Sequence, residues 1–192
     1  MTRIAVTRTY LELRRPEELR ASAAPPRTPA LARAWPIGAD DYLAVYTLVG
    51  ARWHWRDRLA WTRARLDAHL ASPDVQVWVA RLDDEVAGYF ELQRLSDDAR
   101  ELVYFGLSAA FIGRGLGGWL LTRAVEIALA EGASRISLNT CTLDGPAALP
   151  NYLARGFRIV REEVYEAQIG EPAGDAAGAL QTPALDPGVE RS

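Results

Sequence analysis

The chain has one cysteine, two histidines and no lysine among its 192 residues, and each shortage removes a kind of chemistry. A lone Cys141 excludes an intramolecular disulfide, and with two histidines it leaves too few soft ligands for zinc, so no metal is expected. Without lysine there is no Gly-Lys-Ser/Thr, which rules out a Walker P-loop. No G-x-S-x-G supplies a serine nucleophile elbow, and neither HExxH nor an EF-hand loop occurs. Apolar runs are too short to cross a bilayer. MTRIAVTRTYLELRRPEELR alternates and carries charge where a signal peptide would hold an apolar block. The expectation is a reduced, cytoplasmic protein without a membrane partner.

What is present fits one globular domain with a full core, at 49% apolar and 24% charged residues. All 22 basic residues are arginine, which with the abundant alanine reads as codon bias. The net charge of −3 conceals an asymmetry, since residues 1–66 hold 12 arginines against 6 acids. Arg14, Arg15, Arg20, Arg27 and Arg33 are scattered among prolines and acids with no groove-reading motif. They read as solvated surface, and no nucleic-acid partner is expected.

Residues 4–13 alternate as a first strand, and a Pro- and Ala-rich connection completes residues 1–36. Asp40 or Asp41 caps a helix ending at Gly50, and Trp55, Leu59, Leu66 and Leu70 share helical spacing on a second, stopped at Ser72-Pro73. The period then drops to 2 for strands 75–82, 85–95 and 100–108, turning at Asp83-Asp84 and at 96–98. A glycine-rich turn at 113–118 opens a helix to about Glu131; strand 134–140, helix 145–155 and strand 157–169 follow. Residues 37–169 form the core, and the 170–192 tail, without large apolar residues, is expected to be disordered. One parallel crossover after an antiparallel run makes the class α+β.

The stretch Glu101–Leu121 concentrates the chemistry. Four glycines lie within residues 113–118 at a helix start, where unpaired N–H groups and the helix dipole favour phosphate. Gly113, Gly115 and Gly118 formally satisfy the dinucleotide fingerprint, but that fingerprint belongs to a parallel unit with an acid about 20 residues on. Here the turn follows an antiparallel meander, and Leu138 and Asn139 fill the corresponding region. A nicotinamide-dependent oxidoreductase therefore rests on the glycines alone.

The order of elements, the strand ELVYFGLS, the turn IGRGLG and the later NYLARGF resemble the GNAT superfamily of acetyl-CoA-dependent N-acetyltransferases over residues 37–165. Gly115 and Gly117 match the glycines of its Gln/Arg-x-x-Gly-x-Gly/Ala motif, with Gly113 and Arg114 as typical fillers. Ile112 stands where Gln or Arg belongs. Tyr152, Gly156 and Phe157 match a second signature, with Ala148 in place and Gly145 replacing an asparagine. The resemblance implies a mostly antiparallel sheet flanked by helices, in which a splayed strand pair near 104–108 and 136–140 binds acetyl-CoA as co-substrate. A primary amine on a small molecule or peptide would attack directly in a ternary complex. A homodimer is left open. The alternative is an acyl-CoA- or nucleotide-binding sensor of the same fold with little or no transferase activity.

The resemblance and the chemistry of acetyl transfer assign roles together. The amides of Gly113, Arg114, Gly115, Leu116, Gly117 and Gly118 would hold the pyrophosphate, Arg114 adding charge. A free strand N–H near Gly106 or Leu107 would polarise the thioester carbonyl, with Ser108 adjoining it, and Gly106 suggests a bulge or close backbone approach. Asn139 and Thr140 would meet the pantetheine arm, with Asn151 nearby. Tyr152 is the acid for the leaving thiolate and Glu101 the base for the amine. Trp53, His54 and Trp55, followed by Trp61, would line the acceptor pocket, where ring faces suit an apolar or cationic amine. Cys141 reads as small-residue packing.

Overall fold

The computed structural model describes residues 2–96 and 98–169. Its strands are β1 (Thr2–Leu13), β2 (Ala30–Arg33), β3 (Val75–Leu82), β4 (Glu85–Ser96), β5 (Ala99–Leu107), β6 (Arg135–Cys141) and β7 (Arg158–Ile169). Its α-helices are α1 (Ala39–Gly50), α2 (Arg63–Leu70), α3 (Leu116–Ala130) and α4 (Ala148–Ala154). One sheet forms in the order β2-β3-β4-β5-β6-β1-β7. Every neighbouring pair is antiparallel except β5–β6, so the class is α+β as expected. The tail at 170–192, and Asp97 of the turn expected at 96–98, lie outside the described residues.

Local chemistry explains the β3–β4 hairpin. Asp83 and Asp84 both adopt positive φ, 52° and 64°, as a two-residue turn between right-twisted strands requires. One sheet face packs α3 over Phe90, Leu92, Leu102 and Ile136, and the other packs α1 and α2 over Val77, Val79 and Tyr89. α3 is buried on more than one face, with Leu116, Trp119, Leu120, Leu121, Ala124 and Val125 all buried.

Two features differ from the sequence expectation, and the place of β1 adds to it. The connection contains β2, four residues paired with β3 from Ala30↔Arg81 to Arg33↔Trp78. ALAR has little β preference of its own, so the edge of β3 makes it a strand. The helix expected through Trp55 is broken into short turns at Ala51–Trp53 and Arg58–Ala60 before α2, whose first turn Thr62 caps by accepting the Arg65 N–H at 3.3 Å. The chain turns back at His54, φ 58°, to lay the Trp55 ring against Gly50, and Leu59 is 51% exposed. Finally, β1 lies between β6 and β7, antiparallel to both.

The connection runs over the surface and fastens the end of α4. The Arg20 N–H donates to the Arg155 carbonyl at 3.0 Å, and the Ser22 N–H donates to Thr122 Oγ1 at 2.9 Å. Gly156, φ 102°, lies so close that an added methyl would stand 1.9 Å from the Glu18 carbonyl oxygen. Only glycine fits there. Among the described residues no helix is long and apolar enough to cross a membrane.

Candidate active site

Strands β5 and β6 pair only from Ala99↔Arg135 to Glu101↔Ser137, and beyond Glu101 they part. The opening is a cleft of about 1530 Å³ that reaches both faces of the sheet. The Ser108 N–H donates to the Ala87 carbonyl at 3.0 Å, which makes Ser108 and Ala87 a hydrogen-bonded antiparallel pair. By the alternation of such ladders, the backbone of Leu107 points away from β4, into the gap β6 has left. The free N–H expected near Gly106 or Leu107 is therefore that of Leu107. The close approach at Gly106 comes instead from α1 and the Trp55 ring, since an added methyl would meet Val49 at 2.6 Å and Trp55 at 3.5 Å.

The strand bulge lies elsewhere, at Val103. Leu102 faces Leu92 and Tyr104 faces Glu91, so Val103 is the extra residue. This shift of parity puts Glu101 and Tyr104, opposite Gln93 and Glu91, on one face. That is the α2 side of the cleft. Burial raises the Glu101 carboxyl pKa, the Glu91 charge raises it further and Arg58 opposes. Glu101 makes no side-chain hydrogen bond among the described residues, leaving its carboxylate open to the cleft.

Around it, Trp53, His54, Trp55, Asp57, Trp61 and His69 line the same side. Trp55 is chiefly a packing residue, its ring 5.7 Å from Tyr46, 6.1 Å from Tyr89 and 5.0 Å from Tyr104. Trp53 reaches across to the loop after β6, where an added methyl on Gly145 would stand 3.0 Å from its ring. The indole thus occupies the space an asparagine at 145 would need. The rings already hold arginines: Arg58 and Arg65 lie 4.0 and 3.9 Å from the Trp61 centroid, and Arg52 lies 5.7 Å from Trp53. A cation on this side would also meet the carboxylates of Asp57 and Glu101. The Tyr104 hydroxyl donates to Asp57 Oδ2 at 3.3 Å, fixing one of them.

Beneath this wall Glu91 is fully buried. It accepts from the Tyr42 hydroxyl at 2.6 Å, from Arg58 Nη2 at 2.9 Å and from His69 Nε2 at 2.9 Å. Burial pushes its carboxyl up, but the His69 hydrogen bond and the Arg58 charge prevail and hold it below the ordinary carboxylate range.

On the other side stands the glycine turn. Gly113 and Gly115 have φ 81° and 76°, and nothing lies within 4 Å of where their side chains would begin. Gly115 caps α3 with no side-chain hydrogen bond, leaving the first-turn N–H groups open toward the cleft. Gly113, Gly115, Leu116, Gly117 and Gly118 line it, as do Asn139, Asn151 and the exposed Ile112. Asn151 Nδ2 donates to the Gly117 carbonyl at 3.2 Å and ties α4 to α3.

Two expected cofactor contacts lie elsewhere. Ser108 is buried outside the lining, with its hydroxyl donating to the Val86 carbonyl at 2.8 Å, because it continues the β4 ladder. The Arg114 guanidinium lies 5.0 Å over the Phe111 ring, also outside the lining, because the left-handed glycines beside it turn the chain outward. Thr140 is likewise engaged, donating to Asp144 Oδ2 at 2.6 Å.

Tyr152 is 6% exposed, wedged between Phe105 and Phe157 at centroid distances of 5.9 and 6.2 Å. Its hydroxyl makes no hydrogen bond among the described residues, and burial with the Asp144 charge raises its pKa, keeping the proton on. Burial and Asp144 likewise raise the Cys141 thiol, so it is not a poised thiolate. Sequence reasoning missed Arg8, Tyr10 and Tyr165, brought to the cleft by the insertion of β1, and Ser22, Asp144 and Arg155. Only Arg155 carried a signal, its place within NYLARGF.

The sequence profile of the acetyltransferase (GNAT) family matches residues 43–157, from within α1 to the residue before β7. Over 121 residues the chain is 31% identical to the mycothiol acetyltransferase of Corynebacterium efficiens, a stretch covering 59% of this chain and 40% of that protein. The chain thus spans less than half the length of this curated relative. A GCN5-related N-acetyltransferase from Kribbella flavida superposes with a TM-score of 0.59 at 19% identity, over 85% of this chain and 58% of that one. An aminoglycoside acetyltransferase from an uncultured soil metagenomic sample, solved with sisomicin, gives 0.51 at 16% identity over 66% and 84%. These structures establish the shared fold. The profile covers more than half of this chain and spans the parted strands, the glycine turn and the Tyr152 helix: the chain belongs to the GNAT family of acetyltransferases.

Proposed function

We propose that the chain transfers the acetyl group of acetyl-CoA to a primary amine, by direct attack in a ternary complex. The observation that carries this reading is the cleft at the β5–β6 split. It joins an unpartnered anion cradle and Tyr152 on one side to Glu101 on the other. The cradle fits the proposed co-substrate, because no side chain fills the space before Gly113 and Gly115.

Acetyl-CoA supplies the activated acyl group as a thioester. Backbone amides of residues 113–118 would hold its phosphates, and the Leu107 N–H would take the carbonyl oxygen as it gains charge. Glu101 takes the proton the amine must lose, directly or through water. Tyr152, whose proton is held on, donates to the departing sulfur. The relatives named for mycothiol and for aminoglycosides favour a small-molecule acceptor, and Asp57 and Glu101 favour a cationic one.

Calorimetric titration with acetyl-CoA and with NAD tests the reading first. Acetyl-CoA is expected to bind, and tight NAD binding without CoA binding would overturn it. Released thiol, read across a panel of amines, then identifies the acceptor.

Glu101→Gln separates base from bystander. The rate should fall about 100-fold near neutrality and recover as pH rises, because an amine already neutral needs no base. Since the folded protein raises the Glu101 pKa, ionising it above that pKa destabilises the fold, and the Gln variant should melt higher at neutral pH. A loss that is constant with pH would remove the base role.

A further inference from the structure

Arg155 caps the C-terminal end of α4, and its side chain is set against the first turn of α3. An added methyl at Gly118 would stand 2.6 Å from Arg155 Nη1 and 2.9 Å from Ser22 Oγ, so the guanidinium is packed into a slot that only glycine leaves open. Its Nε is buried without a hydrogen-bond partner, and among the described residues no carboxylate pairs with the group. Both facts are costly. A cation beside a helix N-terminus is repelled by the macrodipole, and a buried donor left unpaired carries its full desolvation penalty. A carboxylate on α3's first turn would relieve both, and the turn has none. An anion in the cleft relieves them together, since the helix amides and the guanidinium then face one charge. Ile112, where the phosphate motif has lost its polar residue, lines the same cleft.

We propose that Arg155 is a phosphate ligand of this site, supplying from α4 the charge that Ile112 does not supply from the glycine turn. This rests on the acetyl-CoA reading and adds to it a residue outside the turn. Gly118 leaves the room the guanidinium occupies, and Ser22, carried in by the N-terminal connection, stands beside the same point.

The test compares wild type, Arg155→Met and Arg155→Lys. CoA and 3′-dephospho-CoA are titrated by calorimetry, and pantetheine, which has no phosphate, by chemical-shift titration at millimolar concentration. Arg155→Met should bind CoA roughly 10- to 100-fold more weakly, the range of a charge-assisted contact, with pantetheine affinity unchanged. Its melting temperature without ligand should hold or rise, because an unpaired cation has gone. An equal loss for dephospho-CoA assigns Arg155 to the pyrophosphate, and a loss confined to CoA assigns it to the ribose phosphate. Arg155→Lys keeps the charge without the fork, should fall between, and carries the same comparison if the Met variant folds poorly. Unchanged CoA affinity, or equal losses for CoA and pantetheine, would overturn the assignment. Wild-type protein that binds none of the three would instead overturn the acetyl-CoA reading beneath it.

Discussion

Glu91→Leu should cost about 3–5 kcal/mol of stability, the scale for removing one partner of a buried ion pair. The carboxylate is fully buried and holds three donors, of which the Arg58 guanidinium is itself buried. Leucine would leave that cation without its counter-charge and the Tyr42 hydroxyl without its acceptor. Urea denaturation measures the loss. Arg58→Met in the same chain should recover much of it, because removing both charges deletes the penalty along with the attraction. A double variant as unstable as the two single losses combined would show that packing, not charge, sets the cost. Acid behaves predictably as well. The folded protein holds the Glu91 pKa below the ordinary carboxylate range, so its stabilisation is complete above that range and is lost as pH falls through the lowered value. Wild type should therefore lose stability more steeply than Glu91→Leu on acidification. Arg58 also lies against Trp61, so the variant should raise the KM for the amine before that for acetyl-CoA.

Tyr152→Phe should lower kcat about 100-fold, the lower end of what a positioned acid contributes, with acetyl-CoA affinity and melting temperature unchanged. The ring is held by Phe105 and Phe157, contacts phenylalanine would keep, and the hydroxyl has no hydrogen-bond partner to lose among the described residues. Removing one oxygen thus tests the acid with little structural cost. An acetyl thioester whose thiol leaves readily without a proton should restore much of the rate. A variant fully active with acetyl-CoA would take the acid role away from Tyr152.

The parts of this site legible in the sequence are those that local spacing specifies. Gly113 and Gly115 require left-handed backbone at a helix start, and the structure holds them there. Tyr152 sits one helical turn before Gly156, so the two stay in fixed relation wherever the helix is placed. The parity of β5 was harder. Alternation from Gly106 misplaces Glu101, because the bulge at Val103 is visible only once β4 is laid beside it. The helix drawn through Trp55 failed for a related reason. Its i, i+4 spacing also suits a chain that doubles back, and the Gly50–Trp55 contact selects that alternative.

The sequence by itself determined the α+β order of elements, the glycine turn at 113–118 and the Tyr152 helix, because period, turn residues and caps act over a few residues. Tertiary structure alone decided where β5 and β6 part, which N–H faces the gap and how β1 enters between β6 and β7. Those outcomes depend on strand partners distant in the chain. Arg155 belongs with them, since it becomes a phosphate-site candidate only because Gly118, from another segment, leaves the room its guanidinium occupies.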